Sequence, residues 1–170
     1  MPGKIVDRNN IPEILDVIKE LQTTKLQVGI FAPEGSELFM IAMVNEYGTN
    51  INVTPKMRAY MHYQGIHLKA STTQIKIPER SFIRAGFEYA REDLEKLVDK
   101  ALPLVLTLKL QPNEFYKLLG EMAVGRIHKY IQDLSSPPNS AMTIKRKKSS
   151  HPLIDTGRLT QSITYKVVRE

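Results

Sequence analysis

A chain of 170 residues, 42% of them apolar, is long enough to bury one sizeable core, so a single domain over 1–170 is expected. The lack of cysteine excludes disulfides, thiolate metal sites and thiol nucleophiles together, and fits folding in a reducing cytoplasm. A net charge of +6 leaves room for a nucleic-acid partner, whereas no apolar run approaches the roughly 20 residues a bilayer span needs, so neither secretion nor membrane insertion is expected.

The first helix is predicted to start with Asn10 as cap and to run to about Leu21, with Ile14, Leu15, Ile18 and Leu21 at helical spacing and Pro12 in the first turn. Lys25 to Phe31 alternates Leu26, Val28 and Ile30 against Lys25, Gln27 and Gly29, the pattern of a strand with one buried face. After a turn at Pro33-Glu34-Gly35, Glu37 to Tyr47 is apolar enough for a buried helix, capped by Ser36 and closed by Gly48 in the left-handed position. Thr54 and Pro55 then read as the cap and first turn of a short helix ending at Gly65, although Met57, Ala59, Met61 and Tyr63 also alternate as a strand would. Ile66 to Ala70 and Gln74 to Ile77 read as two strands joined by Ser71-Thr72-Thr73, an extended hairpin arm suited to docking a neighbour.

Pro78 ends that arm. A long amphipathic helix is expected from about Ser81 to Ala101, striped with Ile83, Phe87, Ala90, Leu94, Leu97, Val98 and Ala101 and broken by Pro103. A second, from about Pro112 to Gln132, carries Phe115, Leu118, Leu119, Met122, Ile127, Tyr130 and Ile131 on its apolar side. Leu134 to Pro152 is a polar, proline-containing basic loop with little to bury, and proteolysis of the isolated chain is expected to cut first between Ser135 and His151. Gln161 to Val168 closes the domain as a strand. The sum is an α+β fold, a small and mostly antiparallel sheet packed against two long helices, with the hairpin arm and the basic loop extending from it.

Asp155-Thr156-Gly157, preceded by two apolar residues, is the pattern an aspartic protease places at its catalytic turn. Such an enzyme needs strands around two carboxylates that share a proton. Here two long helices lie immediately upstream, and Arg158 would hold Asp155 ionised. The reading preferred is structural: Asp155 or Thr156 caps the turn starting at Gly157, and Arg158 pairs with a carboxylate locally or on a neighbouring subunit. His62, His67, His128 and His151 are scattered without metal-ligand spacing, no glycine lies in a phosphate-loop pattern, and no cofactor or small-molecule substrate is implied. Lys145, Arg146, Lys147 and Lys148 form the one concentrated basic cluster, facing DNA or an acidic partner.

Three segments taken together, Val44-Asn45-Glu46-Tyr47-Gly48-Thr49, Ile77-Pro78-Glu79-Arg80-Ser81-Phe82-Ile83-Arg84 and Pro152-Leu153-Ile154-Asp155-Thr156-Gly157-Arg158-Leu159 with Ser162-Ile163, resemble the tail-component family of long-tailed bacteriophages and prophages, whose members act in tail completion and head–tail joining. The likeness spans about residues 26 to 168. It departs at Ser81, where proline is more usual, and in a longer 50 to 76 region. The resemblance implies a non-enzymatic virion protein, assembled in the host cytoplasm and residing in the neck or tail. It would be a homo-oligomeric ring, sixfold by analogy with tails, touching neighbouring neck or tail proteins and the DNA that passes through. It further implies that Arg80 and Arg84 position the long helix and that Asp155, Gly157 and Arg158 shape the joint before the last strand. A nucleic-acid-binding accessory protein using residues 145–148 is the alternative.

Overall fold

The computed structural model describes residues 9–140, 143–144, 151–154 and 156–170. Helix α1 (Ile11–Thr23) follows Asn10, but its cap comes from Asn9, whose Oδ1 accepts from the Ile11 N–H at 3.2 Å. Val17 and Leu21 turn toward the core, while Leu15, expected on the buried stripe, is 52% exposed. Strand β1 (Thr24–Ile30) pairs antiparallel with β4 (Ile163–Arg169), in a register that sets Ile30 opposite Ile163 and Val28 opposite Tyr165. Helix α2 (Glu37–Tyr47) follows β1, and the Ser36 Oγ accepts from the Phe39 N–H at 3.3 Å, as its position predicts.

The α+β class is observed. Among the described residues the strands form two antiparallel pairs, β1 with β4 and β2 (Thr49–Asn52) with β3 (Gln74–Ile77). The expected hairpin between Ile66 to Ala70 and β3 does not form. Instead β3 pairs with β2, and helix α3 (Pro55–Tyr63) sits in the connection, with the Thr54 Oγ1 accepting from the Met57 N–H at 3.1 Å. The cause is Arg58, whose guanidinium takes hydrogen bonds to the carbonyls of Leu68, Lys69 and Thr72 at 3.2, 2.9 and 2.7 Å. Those acceptors curl the 66–72 segment under the helix instead of leaving it extended.

Helices α4 (Ile83–Leu106) and α5 (Pro112–Asp133) form the largest packing pair. Gly86 meets Ile127, Asp93 pairs with Arg126 at 2.8 Å, and Val105 packs with Phe115, so the two run antiparallel. Pro103 was expected to break α4, yet the helix continues over it to Leu106. Ala101 and Val105 are buried against α5 on one side, while Pro103 faces water, where its missing N–H leaves only a solvated carbonyl. The true stop is a Schellman turn: Leu108, at φ 58, takes the left-handed place, its N–H donates to the Val105 carbonyl, and the Lys109 N–H donates to that of Leu104.

Two apolar clusters result. One gathers Phe82, Ile127, Ile131, Leu153, Leu159 and Ile163, and the other Ala101, Val105, Phe115 and Leu119. Strand β1 ties them together, with Val28 and Ile30 in the first and Leu26 in the second. The α5 side that packs inward is Phe115, Leu119, Ala123, Ile127 and Ile131, and Leu118, expected among them, is 42% exposed. A close approach fixes α5 on β4: a Cβ added at Gly120 would lie 2.3 Å from the Tyr165 ring. Among the described residues, no helix is long and apolar enough to cross a membrane.

Candidate functional site

The last turn of α2 delivers Glu46 into the interior, where it is 5% exposed and the only fully buried residue of its helix. Its Oε2 accepts from the backbone N–H groups of Phe82 at 2.8 Å and Ile83 at 2.9 Å. Its Oε1 accepts from the Arg84 N–H at 3.1 Å, the Arg84 Nε at 3.0 Å and the Ser81 Oγ at 3.0 Å. These partners follow from what α4 lacks. Phe82 stands at its N-cap position with no side-chain cap, and its first turn holds no acidic residue. The opening N–H groups and the positive end of the helix would otherwise meet apolar neighbours unpaired. A carboxylate from another helix supplies the missing acceptors. Burial alone pushes the Glu46 carboxyl up, but the bonds donated by the Ile83 and Arg84 amides and by the Arg84 and Ser81 side chains outweigh it, holding the group below the ordinary glutamate value.

Arg84 completes the lock. Its Nη2 donates to the Glu46 carbonyl at 3.1 Å and to the Glu79 Oε1 at 2.7 Å, and its guanidinium lies 4.7 Å from the Tyr47 ring centre. Gly48 follows at φ 68 and ψ 169, a positive φ as expected but with an extended ψ in place of the left-handed helical one. A Cβ there would come within 2.7 Å of the Glu79 amide nitrogen and 3.0 Å of the Ile77 carbonyl oxygen. Only glycine lets the end of α2 touch the chain leaving β3.

Arg80, 6% exposed, works on the other side of the same joint. Its N–H donates to the Asn45 carbonyl at 2.7 Å, its Nε to the Pro137 carbonyl at 2.9 Å, and its Nη2 to the Pro138 carbonyl at 3.0 Å. Burial lowers its pKa below the ordinary arginine value. Asn139, which also receives the Arg80 Nη2, donates through Nδ2 to the His151 carbonyl at 3.0 Å, so the same cluster ties Asn139 to His151. Within the stretch expected to be cut first by proteases, Pro137 to Asn139 is therefore held by Arg80.

The third segment enters through its apolar residues. Leu153, Leu159 and Ile163 are buried with Phe82 in one cluster. Between them Gly157, at φ 78 and ψ −6, adopts the left-handed conformation before the short helix α6 (Arg158–Gln161). Arg158 pairs with Glu37 at the start of α2 at 3.8 Å, with both side chains mostly in water, which makes the contact a weak, screened one. Asp155 and the basic cluster Lys145, Arg146, Lys147 and Lys148 lie outside the described residues, so the protease and bend readings of Asp155 rest on sequence alone.

Arg80, Arg84, Gly157 and Arg158 are thus placed by the structure, the first two directly at the α2–α4 joint. Glu46, the residue around which the joint is built, was not singled out from the sequence. Beyond its place in the Val44 to Thr49 segment, its local signal is an acid near the end of an apolar helix, ELFMIAMVNEY. The histidines are scattered in the sequence, yet His62 and His67 meet with Nδ1 atoms 2.9 Å apart, one donating to the other. Chemically, five donors occupy the Glu46 oxygens, which makes it a structural anion and leaves no free lone pair directed at a substrate. Comparisons with family models, curated proteins and solved structures return no match.

Proposed function

We propose that the chain is a non-enzymatic structural protein of a long-tailed phage or prophage virion, acting in tail completion or head–tail joining as a ring-type subunit near the DNA channel. The observation that carries this reading is the meeting of the three segments on which the resemblance stands. Asn45 and Glu46 from the first, Arg80, Phe82 and Arg84 from the second, and Leu153, Leu159 and Ile163 from the third surround the start of α4. Their work is to lock elements to one another, which is what a subunit acting by shape requires.

The outer side of α2 supports the same reading. Leu38 and Ala42 pack on the core, while Met40, Ile41, Met43 and Tyr47 are 54, 41, 42 and 55% exposed. The helix was expected to be buried, but one chain covers only one of its sides. An exposed apolar surface of this kind suits a heterologous contact with a neighbouring copy, repeated around a ring. Deleting the gene from its phage or prophage tests the proposal: DNA-filled heads and tails should accumulate unjoined, or with unfinished ends, under the electron microscope. Normal, infectious particles from the deletion would overturn it.

A further inference from the structure

We infer that the arm built from β2, α3 and β3 is a DNA-contacting surface that grips the phosphate backbone. From Tyr47 to Pro78 the sequence holds no aspartate or glutamate, yet it carries Lys56, Arg58, Lys69 and Lys76. None of the four cations makes an ion pair among the described residues. Lys56, Lys69 and Lys76 are exposed, while Arg58 is spent on backbone carbonyls and holds the Lys69 segment beside α3. Exposed cations with no counter-charge among the described residues are suited to an outside polyanion.

Geometry narrows the partner. Lys56, Tyr60 and Tyr63 stand at i, i+4 and i+7, one stripe of α3, with Tyr60 63% and Tyr63 86% exposed. Phenol hydroxyls on the same stripe as an ammonium group are donors that phosphate oxygens take, and the rings can lie along the sugars. A second copy of this chain is a poorer fit, because many of its carboxylates already hold partners: Glu37 has Arg158, Glu88 has Arg91, Glu92 has Lys96 and Asp93 has Arg126. An anionic membrane shares the phosphate chemistry, but binding at that interface favours a helix with a broad apolar face, and on α3 Met57 and Met61 are half-buried while the exposed tyrosines stand beside Lys56 and His62. The arm thus adds a DNA contact separate from residues 145–148, deepening the channel reading on which it builds.

The test titrates the full chain with a short DNA duplex by fluorescence anisotropy over about 50 to 200 mM salt, a range in which phosphate contacts register strongly. The triple variant Lys56→Gln/Lys69→Gln/Lys76→Gln should bind at least about tenfold more weakly. Its slope of log affinity against log salt should be shallower by about 3, near 0.9 per lysine removed. Because all three lysines are exposed and make no ion pair among the described residues, thermal unfolding should be unchanged. The same difference should persist when residues 145–148 are also neutralised. A wild-type chain that ignores duplex DNA at low salt, a triple variant with an unchanged slope, or binding to phosphatidylserine vesicles without binding to DNA would each overturn the inference. Ring assembly without any arm dependence of DNA binding would sink this inference alone, and arm-dependent binding by a chain that never assembles would sink the ring reading alone.

Discussion

Five donors converge on the Glu46 carboxylate, and three of them are backbone amides at the start of a helix that has no cap of its own. Truncating the side chain leaves those amides unpaired in a buried place and removes the Arg84 Nε ion pair, leaving Arg84 only the Glu46 carbonyl and the Tyr47 ring on α2. Glu46→Ala should therefore destabilise the fold by about 3 kcal/mol in denaturant titration, and Glu46→Gln, which keeps one acceptor, by less. The pH dependence follows from the direction of the shift. The folded carboxyl titrates below the ordinary value of 4.5, so its contribution is complete above that pH and is lost as pH falls through the folded value. Glu46→Gln should flatten the acid limb of the stability profile, and parallel profiles for the two proteins would contradict the role assigned to this carboxylate. Gly48 was legible in the sequence because a glycine ending an apolar helix has a local reason to be there. Glu46 was not, because its partners lie 35 to 38 positions away.

The helices and strands were legible where the signal was local. Ser36 and Thr54 cap as their positions predict, and the alternation in Lys25 to Phe31 gave β1 because its cause is a buried face of one strand. Failures arose where a distant group decides. Helix α4 starts at Ile83 because Glu46 reaches it there, and the 66–72 segment curls because Arg58 claims its carbonyls. Strand β2, TNIN, is too short and polar to show a pattern, so β3 was given the wrong partner. Pro103 misled for a related reason: packing of Ala101 and Val105 against α5 carries the helix past a residue that disfavours it. Pro103→Ala should accordingly stabilise the protein by about 2 kcal/mol, read as a rise in the thermal midpoint, since it restores an N–H to an exposed turn. An unchanged or lowered midpoint would mean that α4 does not run as a continuous helix through this position.

At the scale of the molecule, the sequence conveyed the α+β class and the two long helices, and it could not convey which surfaces stay uncovered. An apolar helix reads as buried whatever buries it. The exposed row Met40, Ile41, Met43 and Tyr47 shows that one chain does not finish the job for α2. If the chain acts as a subunit, that row is where the next copy sits, and the Glu46 joint is what keeps the helix rigid enough to receive it. The most direct measurement is the native mass of the purified protein, alone and mixed with tail tubes, compared with a Met40→Glu/Met43→Glu variant. The expected result is a discrete closed oligomer on the tubes for the wild type and a folded monomer that does not associate for the variant. A wild-type protein that stays monomeric and unbound with tubes present, or a variant that assembles as well as the wild type, would contradict the account.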